Sequence, residues 1–100
     1  MTSKGRDLRL SSVPGLTAHM DGQGTIVTTT ATQSVVITDI IASATGAVKE
    51  DSGSGDTIFT IPVAGHSNLS TPIKVAEGAD IFNDNNGQRV TICYYLVQRV

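Results

Sequence analysis

The stretches SVVITDIIAS, at residues 34–43, and QRVTICYYLVQ, at residues 88–98, decide the fold of this chain. The second stretch alternates with the period of two that places successive side chains on opposite faces of a β-strand. The first has apolar residues at both sets of alternating positions, which is typical of a strand covered on both sides or partly covered by another subunit. Both stretches therefore predict strands with a buried face.

The composition of the whole chain agrees with these two strands. Among its 100 residues, Thr, Val and Ile number 13, 10 and 9, whereas Leu and Glu number only 5 and 2. β-Branched side chains pack well on a pleated sheet and lose rotamer freedom in a helix. A chain of this length forms one domain with a single modest core. We therefore predict one all-β domain.

Turn signals divide the remaining sequence into shorter segments. The predicted additional strands are at residues 25–31, 57–63, 71–75 and 79–82. The predicted loops and turns between them are at residues 44–56, 64–70 and 83–87. Short strands at regular spacing with no helical pattern favour a single small β-sandwich or jelly-roll-like barrel.

The first 24 residues differ from the rest of the chain. Pro14-Gly15 and the Gly-containing segment at residues 21–24 are turn signals. We therefore predict an extended N-terminal arm and loop at residues 1–24 and a β-sandwich domain at residues 25–100. The net charge is +2 over residues 1–10 and −6 over residues 11–87, so the basic start could dock on an acidic surface. A frayed, solvated terminus is the alternative.

Residues that carry chemistry are few and scattered. The chain has one cysteine, Cys93, and two histidines, His19 and His66, whereas a zinc site needs three or four ligands at short spacings. The acidic and amide residues at 80–87 do not fit a calcium-loop template, and no Gly-x-Ser-x-Gly elbow is present. We predict that the protein is not an enzyme, with no catalytic, cofactor-binding or metal-binding residues.

Two classes of partner are also disfavoured. The acidic balance of residues 11–87 is unsuited to nucleic acid, because binding to phosphates requires a basic face. No apolar run approaches the roughly 20 residues that span a bilayer, so we predict neither a nucleic-acid partner nor a membrane partner. The remaining possibility is an interaction with another protein.

Two sets of residues are candidates for protein contacts. Tyr94 and Tyr95 point to opposite faces of the last strand, so one of them covers either a subunit contact or an edge of the sheet. Asp39 lies among apolar residues, and we expect it at a sheet end, bonded to loop backbone. The candidate subunit-interface residues are Val36, Ile40, Tyr95 and Val97. The candidate contact residues of the arm are Lys4, Arg6, Leu8, Arg9 and Leu10.

A family resemblance covers about two-thirds of the chain. Its residues are TDII at 38–41, a Gly/Ser loop, the strand at 57–63, NLSTPI at 68–73, VAEGADI at 75–81 and VTICYYL at 90–96. In this pattern the chain resembles the small, jelly-roll-like head decoration or cement proteins of tailed bacteriophages. Domains of phage tail and fibre proteins have a similar pattern.

The resemblance implies a structural function in the virion. Proteins of that family have no catalytic activity, and they bind the capsid exterior and hold neighbouring major capsid subunits together. The resemblance implies a homotrimer whose partner is the major capsid protein, located on the virion after synthesis in the host cytoplasm. The alternative is a tail or fibre component, including a receptor- or glycan-binding tip domain.

Overall fold

The chain forms eight β-strands in the part that the computed structural model describes, residues 10–84 and 88–99. In chain order the strands are β1 (Leu10–Asp21), β2 (Gly24–Val27), β3 (Gln33–Ala42), β4 (Gly46–Glu50), β5 (Thr57–Ile61), β6 (Gly65–Lys74), β7 (Ile81–Asn83) and β8 (Arg89–Arg99). The described residues contain no helix long and apolar enough to span a membrane.

The first strand pairs with the last, the second with the second last, and so on to the two middle strands. The antiparallel pairs are β1 with β8, β2 with β7, β3 with β6 and β4 with β5. Further pairing of β3 with β8 and of β4 with β7 completes two four-stranded sheets, in the orders β1-β8-β3-β6 and β2-β7-β4-β5. This is the eight-stranded jelly roll. The predicted all-β sandwich or jelly-roll-like fold is therefore confirmed.

Aliphatic side chains fill the space between the two sheets. We name the sheets by their central strands, the β3–β8 sheet and the β4–β7 sheet. Burial of one Ile or Val side chain stabilises a fold by about 1.5–3 kcal/mol, so these residues dominate the stability. The buried cluster consists of Val27, Val35, Ile37, Ile40, Ala42, Val48, Ile61, Val75, Ala79, Ile81, Val90 and Ile92.

A β-bulge at Thr38 determines which side chains of β3 enter this core. Ile37 pairs with Tyr94 and Asp39 pairs with Cys93, so Thr38 is one extra residue opposite β8. Thr38 Oγ1 lies 3.1 Å from the carbonyl oxygen of Cys93 on β8. Because one extra residue reverses the alternation of side chains, Ile37 and Ile40 both face inward.

The prediction that Ile40 belongs to a subunit interface is wrong. Strict alternation over residues 34–43 places Ile40 on the same face as Val36, but the bulge moves it to the core. Ile40 is 0% exposed there, whereas its neighbour Ile41 points outward and is 43% exposed. The alternation of apolar residues has the period of a strand on either side of Thr38, but no residue type in the sequence indicates the bulge.

The predicted boundary between an arm and loop at residues 1–24 and the sandwich also differs from the structure. Leu10–Asp21 is a strand of the sandwich, paired with β8 along its length. The Pro14-Gly15 pair lies where the register shifts, between Val13 and Leu16. An edge strand tolerates Pro at such an irregularity because no ladder hydrogen bond requires its nitrogen. Residues 1–9 lie outside the described part of the chain.

Two strands begin in segments that we predicted to be loops. β4, with the sequence GAVKE, lies in the predicted loop at 44–56, and β6 begins in the predicted turn at 64–70. Gly, Ala, Lys and Glu are all depleted in strands, so GAVKE has no local strand signal. Its position between β5 and β7, with Val48 buried in the core, makes it a strand.

The predicted turn at 83–87 also begins one residue too early. Asn83 ends β7 and is fully buried. Its side-chain amide donates a hydrogen bond of 2.7 Å to the carbonyl oxygen of Gly22. Gly22 has a φ of 80°, in the region that favours glycine, and connects β1 to β2. Asn83 therefore attaches the first strand connection to the β4–β7 sheet.

Replacing Ile40 and Ile41 separately by Ala tests the position of the bulge. Ile40→Ala is expected to lower the free energy of unfolding by about 2–5 kcal/mol because it leaves a cavity in the core. Ile41→Ala, the matched control on the outer face, is expected to lower it by less than about 1 kcal/mol. Urea denaturation measures both, and equal losses would contradict the inward position of Ile40.

Candidate functional site

Part of the outer face of the β4–β7 sheet is covered by the loop between β4 and β5. Phe82 lies there, and a Cβ added at Gly53 would be 3.6 Å from its ring. Lys49 holds the loop by donating 2.9 Å to the Gly53 carbonyl oxygen and by an ion pair of 2.8 Å with Asp84. Lys49 and Gln23 also lower the pKa of Asp84 through their hydrogen bonds. The part of the face around Phe82 and Lys49 is therefore occupied by intrachain contacts.

The outer face of the β3–β8 sheet is the candidate functional site. The strand register and the pleat place one set of side chains on it. These residues are Thr17, His19, Asp21, Ser34, Val36, Asp39, Ile41, His66, Asn68, Lys74, Arg89, Thr91, Cys93, Tyr95, Val97 and Arg99. The side chains along the middle of β8, from Thr91 to Val97, are uncharged.

Exposure on this outer face differs between its two ends. Ser34 and Val36 are buried, and Val36 has Tyr95 and Lys74 as its cross-strand neighbours. Toward the other end of β3 the side chains become accessible, and Ile41 is exposed. Along β3, the accessible side chains of this face are therefore those toward its connection with β4.

A hydrogen-bonded cluster around Asp39 joins β3 to the edge strand β6. Asp39 Oδ1 accepts a hydrogen bond of 2.7 Å from the Asn68 amide and lies 2.8 Å from His66 Nε2. Asp39 Oδ2 accepts 3.0 Å from the Thr38 hydroxyl. The hydrogen bonds from Asn68, His66 and Thr38, in that order of size, hold the pKa of Asp39 below its ordinary value of 3.8.

The partners of Asp39 differ from our expectation. We expected loop backbone at a sheet end, whereas the partners are side chains of the neighbouring strand and of the bulge residue. His66 and Asn68 are two residues apart and therefore share a face of β6. This two-residue spacing was visible in the sequence. Because residues 64–70 were predicted to be a turn, it did not indicate that His66 and Asn68 share a face.

The predicted interface residues have three different positions in the fold. Val36 is on the outer face but only 5% exposed within its own chain. Tyr95, its cross-strand partner, and Val97 are on the same face and half-buried. Ile40, as described above, is in the core. Tyr95 and Val97 are therefore the accessible members of the predicted set. Tyr94, which points to the opposite face of β8, packs against the core cluster.

The predicted contacts of the N-terminal arm cannot be placed on this surface. Lys4, Arg6, Leu8 and Arg9 lie outside the described residues, as does the side chain of Leu10. The Leu10 backbone begins β1, opposite Arg99. A free arm can therefore extend no further along the chain than residue 9.

All four edge strands of the sandwich carry an irregularity. The residues between the shifted pairs are Pro14-Gly15 in β1, Ile26 in β2, Ile58 in β5 and residues 69–72 in β6. Bulges at an edge interrupt the regular row of backbone groups with which another strand would pair. Strand addition at these edges is therefore disfavoured, and the faces and loops are the surfaces suited to a partner.

Polar and aromatic residues form no other recognisable site in the described part of the chain. No group of three or more His, Cys, Asp or Glu residues there has the geometry to hold a metal ion. The four aromatic residues of the sequence, Phe59, Phe82, Tyr94 and Tyr95, are all half-buried. Stacking on sugars or bases needs exposed aromatic faces, and these side chains offer little.

Comparison with known proteins gives no family assignment. No protein-family model matches the sequence, and no curated protein matches it significantly. The jelly roll itself occurs in proteins of unrelated functions. Function must therefore be argued from the surface of this chain.

Replacing Asp39 by Asn is expected to remove part of the pH dependence of stability. Because the folded-state pKa is lowered, the unfolded chain takes up more protons on acidification. The stabilisation by the Asp39 carboxylate is therefore present above pH 3.8 and lost as the pH falls through the lower folded-state value.

Urea denaturation between about pH 7 and pH 3 measures this loss. The wild-type protein should lose more stability than Asp39→Asn over that range. Asp56→Asn removes the same charge from an exposed loop position and should keep the wild-type profile. Identical profiles for the wild type and Asp39→Asn would contradict the role of the cluster.

Proposed function

We propose that this protein is a non-enzymatic virion structural protein that binds the outside of a bacteriophage capsid and stabilises neighbouring major capsid subunits. The observation that supports a protein-binding role is the uncharged strip along the middle of β8, formed by Thr91, Cys93, Tyr95 and Val97 on the outer face of the β3–β8 sheet. Centres of protein–protein interfaces are depleted of charged residues. The resemblance to phage decoration proteins supplies the identity of the partner.

The alternative, a receptor- or glycan-binding domain of a tail fibre, has less support. Such a domain is expected to carry exposed aromatic rings above a polar pocket. The half-buried state of Tyr95 and Phe82 does not favour it. An uncharged strip along a strand suits contact with another protein surface better than capture of a sugar.

The proposed activity requires only binding. A ligand that binds assembled capsid subunits, and not free ones, stabilises the assembly by mass action. A trimer presents three equal contacts, and linked contacts gain avidity even when each one is weak. The fold supports such a role because its stability rests on the buried cluster, so that side chains on the outer face of the β3–β8 sheet are available to a partner.

We further propose that the copies of the trimer meet through Tyr95 and Val97. Sedimentation velocity at micromolar concentration should give a trimer for the wild type and a monomer for the double variant Tyr95→Ser/Val97→Ser. Aromatic side chains at interfaces are frequent hot spots. Thr17→Ser, an exposed position on the same face, is the matched control and should remain trimeric. A monomeric wild-type protein would contradict the trimer.

Binding to capsids that lack a decoration protein tests the main proposal. The probe is the expanded capsid assembled from the major capsid protein of the same genome, and co-sedimentation measures saturation and affinity. We expect the wild type to bind at fixed, repeated positions. A failure of the wild-type protein to bind would contradict the proposed function.

The same assay tests the arm contacts. Lys4→Ala/Arg6→Ala/Arg9→Ala, and deletion of residues 1–9, should weaken binding roughly tenfold, since three exposed charge contacts contribute about 0.5 kcal/mol each. Lys74→Ala, an exposed strand position, is the charge control. Deletion must stop at residue 9 because β1 pairs with β8 from Leu10 onward. Unchanged binding by both variants would exclude the arm as a contact.

A further inference from the structure

We draw no further inference here: the strongest candidate, the hydrogen-bonded cluster of Asp39, His66 and Asn68 on the outer face of the β3–β8 sheet, belongs to the site already described.

Discussion

The antiparallel pairing of β3 with β8 is the interaction on which the rest of the structure depends. These two strands occupy the centre of one sheet, and the pairs Ile40–Ile92 and Ala42–Val90 belong to the core. β1 adds to the free side of β8, and β6 adds to the free side of β3. Both edge strands contain polar residues, Gly and Pro, so they need this pre-existing ladder to become strands at all.

The Thr38 bulge in that pairing determines what the molecule shows to its surroundings. By reversing the alternation of β3 it moves Ile40 inward and turns Asp39 and Ile41 outward. Asp39 then contacts His66 and Asn68 on β6. Residues 69–72 of β6, which follow Asn68, have no regular partner in β3 because of the bulge. The carboxylate cluster therefore compensates for the missing regular pairs at that point of the ladder.

The small size of the chain limits which of its surfaces are accessible to a partner. A chain of 100 residues has a small core, and this one devotes its aliphatic residues to it. Irregular edges limit uncontrolled pairing between copies, and the loop held by Lys49 covers part of one outer face. The uncharged strip along β8 is among the surfaces that remain accessible to a partner.

The sequence by itself determined the all-β class, the single domain and most strands with an apolar face, because side-chain alternation and β-branching are local properties. Tertiary structure decided the features that depend on pairing. The sequence around Thr38 does not indicate an extra residue, because a bulge is defined by the pairing with β8. The segment GAVKE likewise becomes a strand only through its pairing with neighbouring strands. The Asp39 cluster likewise arises from strand register, which joins residues distant in the sequence.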